Sequence, residues 1–126
     1  MKERIQTPGA PQPIGPYSQA IAVGGLVFCA GQGPIDPETG RLVEGGVAEQ
    51  TERTLKNLGA VLEATGLGFE DVVKTTCFLA DMDDFKAFNA VYATFFGDPA
   101  PARTTIQAAR LPLDILVEVE AIAART

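Results

Sequence analysis

The sequence predicts an α+β fold: a mixed β-sheet with two helices on one face. Strand-like and helix-like stretches follow one another as strand, strand, short strand, helix, strand, helix, strand, strand. Only two stretches repeat their apolar residues at helical spacing, enough to cover one face of a sheet. The last stretch alternates two kinds of side chain, as a strand between two different environments does.

Residues 6–17 hold four prolines and two glycines, so they extend or turn and do not form a helix. Residues 18–23 read as a strand, and Gly24-Gly25 is a two-residue hairpin signal. Residues 26–30, Leu-Val-Phe-Cys-Ala, are apolar enough for a strand buried on both faces, ended by Gly31-Gln32-Gly33-Pro34. Pro37-Glu38-Thr39-Gly40 makes a turn, and residues 41–43 suit a short edge strand. The clearest helix covers 47–65: Val47, Thr51, Leu55, Leu58 and Leu62 recur on one side, Val61 widens the stripe, and Gly66 stops it. Val72–Leu79 is rich in β-branched and aromatic residues. Asp83 or Asp84 caps a second helix whose apolar stripe is Phe85, Phe88, Val91, Tyr92 and Phe95, and Gly97-Asp98-Pro99 ends it. Residues 102–109 and 113–123 are the last two strands. Leu111-Pro112-Leu113-Asp114 turns the chain between them, and antiparallel pairing brings Arg103 toward the end of the final strand.

In that final strand Ile115, Val117, Val119 and Ala121 share one face and suit packing beneath the helices. Leu116, Glu118, Glu120 and Ile122 share the other, and an open face in water would be more polar than this. The second face is therefore expected to be covered. No element of the chain remains to cover it, which points to a second copy and a symmetric homo-oligomer.

The length of 126 residues fits a single domain spanning 1–126. A chain of this size buries roughly two-thirds of its unfolded surface and needs no disulfide or metal to fold. The net charge is -6, and the ten basic residues are scattered from Lys2 to Arg125. That lacks the basic patch of a nucleic-acid binder, so nucleic acid is not expected as the main ligand. The N-terminus has no signal-peptide pattern, and no window approaches the roughly 18 apolar residues of a membrane span. Cys29 and Cys77 lie in apolar strand stretches and are expected to be reduced core thiols, which fits a cytoplasmic protein. Histidine is absent, so there is no Ser-His-Asp triad, no Cys-His pair and no histidine metal ligand. Acid–base work falls to Glu, Asp, Lys, Tyr or Cys.

Arg103 has the planar fork that binds a carboxylate through two parallel hydrogen bonds, although a strand arginine also serves as a surface residue or ion-pair member. Glu118 suits a general base tuned by partial burial, and Glu120 has the same claim from its face alone. Tyr17 follows Gly15-Pro16 in the rigid loop and either lines a pocket or packs the loop. Gly31 and Gly33 permit close backbone approach or simply end a strand. Asn89 falls in the second helix, as a buried polar contact or on a solvated face.

Four segments resemble the RidA/YjgF family, the reactive intermediate/imine deaminases. They are Ile14-Gly15-Pro16-Tyr17-Ser18-Gln19; Ala30-Gly31-Gln32; Asp71-Val72-Val73-Lys74-Thr75-Thr76 with Asp84-Phe85 and Asn89; and Pro101-Ala102-Arg103 through Ala109-Arg110-Leu111-Pro112 to residues 117–123. The resemblance implies a chorismate-mutase-like fold assembled as a homotrimer with sites between subunits. It implies a hydrolase acting on C–N bonds, with no cofactor and no metal, which converts 2-imino acids such as 2-iminobutanoate and 2-iminopropanoate, or their enamines, to 2-keto acids and ammonia. By position, Arg103 holds the substrate carboxylate and Glu118, not Glu120, activates water. Tyr17, Asn89, Thr105 and the Gly31 backbone border the substrate. Ala30 stands where many members carry serine and Thr105 where many carry a reactive cysteine, so thiol chemistry at 105 is excluded. The same clamp would also serve a non-catalytic trimer that binds a 2-keto acid, or a deaminase of another enamine in a catabolic pathway.

Overall fold

A computed structural model describes residues 1–125. Gly24 adopts a left-handed φ of 60° and, with Gly25, closes the hairpin between β2 (Ala20–Val23) and β3 (Leu26–Gln32). Helix α1 (Val47–Glu63) and helix α2 (Phe85–Tyr92) flank β4 (Val72–Leu79), and β5 (Ala102–Gln107) and β6 (Val117–Ala124) complete the chain. A short strand β1 (Glu3–Ile5), absent from the sequence expectation, pairs with β2. Its three residues are too few to show a pattern, and only Ile5 is buried.

The six strands form one sheet in the order β1-β2-β3-β6-β4-β5. The pair β4–β5 is parallel and β6 lies antiparallel between β3 and β4. The expected β5–β6 hairpin is therefore not formed. The crossover through α2 places β5 on the outer edge of β4, as a parallel pair requires. The chain then returns through the gap beside β3. The residues explain the choice. Val117, Val119, Ala121 and Ala123 are all buried, which suits a central strand, whereas no residue of β5 is fully buried.

Both helices pack on one face. Leu55, Leu58, Val61 and Leu62 of α1 and Phe88 of α2 are fully buried against Val27, Cys77, Leu79, Val117 and Val119 of the sheet. On the opposite face of the single chain Val23, Leu26, Phe28, Val73 and Ile106 stay exposed. Strand β3 thus alternates, with Val27 and Cys29 buried and Leu26 and Phe28 open, and is not buried on both faces within one chain.

Three boundaries differ from expectation. Residues 41–43 contribute only an isolated bridge, Ile35 to Leu42, and no strand. Helix α2 stops at Tyr92, while Phe95 and Phe96 continue the apolar stripe through a turn and meet Phe69 edge-on at 5.5 and 5.2 Å. Strand β6 starts at Val117 because Leu113 and Asp114 take left-handed φ values of 58° and 54° in a short turn.

Candidate active site

The expected site residues fall into two groups, one on each face of the sheet. On the helix face, Arg103 stands opposite Thr75 and Thr105 opposite Cys77 in the β4–β5 register. Positions 85, 88, 89 and 92 share one side of α2, because residues three and four apart are neighbours on a helix. That side meets the arginine. Arg103 Nη1 donates to Asn89 Oδ1 at 2.8 Å. Arg103 Cζ lies 4.8 Å from the centre of the Tyr92 ring, 5.5 Å from Phe85 and 5.8 Å from Phe88. The ion pairs found among the described residues, Glu52–Lys56 and Arg110–Asp114, do not involve Arg103. A half-buried cation is thus held by ring faces and one amide oxygen, with no anion against it among the described residues. It borders a hollow of about 420 Å³ walled by Tyr92, Phe96, Ala100 and Pro101. Thr105 Oγ1 is buried and has no hydrogen-bond partner among the described residues.

On the opposite face, Glu118 of β6 pairs across from Phe78 of β4. The β3–β6 register shifts between Cys29 and Gln32, a bulge of the kind that re-aims side chains beside functional sites. Gly31 lies in that bulge, and a Cβ there would come within 2.6 Å of Glu118 Oε2. The carboxylate therefore packs directly on the backbone of β3. Burial, and then the neighbouring charge of Glu120, push the Glu118 carboxyl above the ordinary 4.5. Glu120 itself is exposed. Glu118 faces a hollow of about 320 Å³ lined by Ile14, Tyr17, Ile35, Leu113 and Ile115, with Tyr17 at the rim. Apolar walls of this kind disfavour the ionised carboxylate, which is how a glutamate reaches the pKa of a useful general base.

Three buried amides hold the segments around this second hollow; only Gln19 stands in a segment that the resemblance marks, and the sequence assigns none of them a role. Gln19 accepts from Thr7 N at 2.7 Å and donates to Thr7 O and Pro11 O, pinning the proline-rich loop that carries Tyr17. Asn57 of α1 donates to Gly33 O and Ile35 O at 2.9 and 2.8 Å, fixing the segment after β3. Gln50 of α1 accepts from Leu116 N at 2.8 Å, just before β6. A signal existed: Asn57 sits between Leu55 and Leu58 on the buried side of the helix, where a polar residue needs partners.

Arg103, Asn89 and Thr105 are thus gathered on one face, and Glu118, Gly31 and Tyr17 on the other. Within one chain β4 separates Arg103 from Glu118, and the two side chains project from opposite faces. The expected approach of Arg103 to the end of β6 does not occur, since β5 pairs with β4. The two thiols are not poised for chemistry: burial raises Cys29 to about 11 and raises Cys77 as well.

The family model described as Endoribonuclease L-PSP matches residues 7–125. The chain belongs to this, the RidA/YjgF family. A RutC family protein of Pyrococcus horikoshii is 54% identical over 123 residues, 98% of either chain. The 2-iminobutanoate/2-iminopropanoate deaminase of Mus musculus is 49% identical over 98% of this chain and 91% of its own. The crystal structure of E. coli TdcF with bound serine superposes with a TM-score of 0.94 at 41% identity, covering 98% of this chain and 99% of that one. Among the described residues of this RidA/YjgF chain, no helix is long and apolar enough to cross a membrane.

Proposed function

We propose that this chain hydrolyses 2-imino acids, or their enamine tautomers, to 2-keto acids and ammonia, in sites that neighbouring copies of a homotrimer build together. One observation carries the reading. A guanidinium with no counter-ion among the described residues and a half-buried carboxylate of raised pKa each face an open hollow, but from opposite sides of the sheet. A cleft between subunits lets one copy's Arg103 meet another copy's Glu118, and it covers the apolar patch of Leu26, Phe28, Val73 and Ile106. The relatives support the chemistry. One is named for imine deamination, and another binds serine, whose carboxylate and nitrogen are spaced like those of 2-iminopropanoate.

In this reading Arg103 binds the substrate carboxylate and so fixes C2. Glu118 orients a water molecule and takes its proton as oxygen adds to C2. The substrate reacts as its protonated imine, so the addition leaves a neutral amine. Glu118 then returns the proton to that nitrogen, and as ammonia leaves, the carbinolamine hydroxyl gives its proton to the freed carboxylate and the C2 carbonyl forms. Thr105, two residues along the same face of β5, borders the clamp beside Arg103. Such imines hydrolyse unaided in water, so positioning plus a general base worth about 10²–10⁴-fold is sufficient. No histidine is required. Cleavage of RNA, which the family description names, would need a surface for a polyanion, and a net charge of -6 with scattered basic residues offers a poor one. Two unpaired buried thiols fit the cytoplasm as the working compartment.

The deciding measurement is ammonia release from 2-iminobutanoate generated freshly in the assay. Release faster than the spontaneous reaction is expected. Tight binding of 2-oxobutanoate with no acceleration would replace the enzyme by a trimer that only binds 2-keto acids.

A further inference from the structure

We propose that Tyr92, anchored by Thr75, is the positioning residue that sets the Arg103 guanidinium for the substrate carboxylate; this rests on the reading of Arg103 given above. An arginine clamps a carboxylate well only when its fork is held in one plane, since the two hydrogen bonds must form in parallel. The stem alone does not do this.

An acidic side chain beside the fork would hold it, but would also occupy the fork and cancel its charge. An aromatic face avoids both effects. It attracts the cation while using none of its N–H donors. Tyr92 provides that face at 4.8 Å, the shortest of the three ring distances to Arg103. Asn89 engages Nη1, which leaves most of the fork free.

The ring is itself immobilised. Its hydroxyl hydrogen-bonds Thr75 Oγ1 at 2.8 Å, and Thr75 is fully buried. The ring stacks on Phe96 at 4.4 Å with a 29° tilt. Thr75 is also the register partner of Arg103 across the parallel ladder. Anchor and arginine thus share one rung of the sheet, and a change in the ring's height moves the fork. Any buried hydroxyl needs a partner; here the partner lies on the rung of the arginine itself.

The test uses the full chain and two probes of the same shape, the charged 2-oxobutanoate and the uncharged 2-oxobutanamide, titrated by calorimetry, together with kcat and KM for 2-iminobutanoate. Tyr92→Leu is expected to weaken 2-oxobutanoate about tenfold, between the worth of an exposed and of a fully desolvated cation–π contact. The amide is expected to change less than about twofold, since it presents no charge to the fork. KM should rise with the acid's dissociation constant, and kcat should move less. Tyr92→Phe keeps the ring and should restore affinity to within about threefold, its residual loss being the missing tie to Thr75. Should Tyr92→Leu fail to fold, Thr75→Val decides. It should weaken the acid by the same factor as Tyr92→Phe, with no further loss in the double variant, because both remove one hydrogen bond. Equal losses for acid and amide, or no loss in folded Tyr92→Leu, overturn the proposal. So does an undiminished affinity in Thr75→Val when it is the deciding variant. Arg103→Ala separates the two levels. If it binds 2-oxobutanoate as the parent does, the clamp reading fails and takes this one with it. If it does not bind while Tyr92→Leu still binds normally, only the positioning role fails.

Discussion

Glu118 lies against residue 31 so closely that only hydrogen at that α-carbon leaves room for its carboxylate. Gly31 does not need glycine for its backbone, because its φ is not in the left-handed region. The constraint is steric, and Gly31→Ala should fold while displacing Glu118. A misplacement near 1 Å costs about 10²-fold in rate, so kcat/KM should fall by about that factor with little change in melting temperature. The two carboxylates of β6 should separate clearly. Glu118→Gln is expected to lose about 10²–10⁴-fold, the worth of a general base, and Glu120→Gln only a few-fold. Because the Glu120 charge helps hold the Glu118 carboxyl up, Glu120→Gln should move the acidic limb of the pH–rate profile to lower pH. Stability carries the opposite sign to activity here. A carboxyl raised on folding contributes stability that is present below its ordinary 4.5 and is lost as pH rises through the folded value. Glu118→Gln should therefore melt above the parent at pH 7 and lose that advantage at pH 4. Equal melting at both values would show that burial of this charge costs the fold nothing.

Helix α1 does more than cover the sheet. Its apolar side closes the core through Leu55, Leu58 and Leu62, and the same side ties down segments around the Glu118 hollow through Gln50 and Asn57. Asn57 satisfies two carbonyls that the irregular segment after β3 leaves without strand partners. Asn57→Ala should cost about 1–3 kcal/mol in urea unfolding, since it strands buried acceptors. It should also lower activity, because Gly33 and Ile35 border the hollow and lose their tether. Loss of stability with unchanged kcat/KM would mean that the segment keeps its place without the helix. Strands β5 and β6 show how an element's setting is decided by composition. Arg103, Thr105 and Gln107 suit an edge, where polar groups reach water or a partner, and the valines and alanines of β6 suit the centre.

At the scale of the whole molecule, a single copy turns Arg103 and Glu118 away from each other, and the proposed function makes them halves of a shared site. This gives a test that does not depend on knowing the best substrate. Arg103→Ala and Glu118→Gln should each be inactive alone. Mixed, dissociated and reassembled together, they should recover activity in about one site in four, because a quarter of randomly formed interfaces join an intact arginine side to an intact glutamate side. A site confined to one chain would recover nothing. Sedimentation of the parent at micromolar concentration should show a trimer, and a stable monomer would leave Arg103 and Glu118 unable to act together.

Much of this protein was legible in its residues. Periodicity marks α1, a richness in β-branched and aromatic residues marks β4, the glycine pair marks the β2–β3 hairpin, and alternation in β6 tells the core face from the carboxylate face. These are local properties, written at a spacing of two or 3.6 residues. Segment resemblance marked Arg103 and Glu118. The tertiary structure alone decided which strands are neighbours, because pairing order depends on how a crossover helix packs and which strand is apolar enough for the centre. It therefore decided that Arg103 and Glu118 leave one chain on opposite faces. It also decided the short-range matters that no spacing encodes: the missing Cβ beneath Glu118, the amides that tie the loops, and the ring that holds the arginine. Those arise where residues far apart in the chain meet, and only the folded chain brings them together.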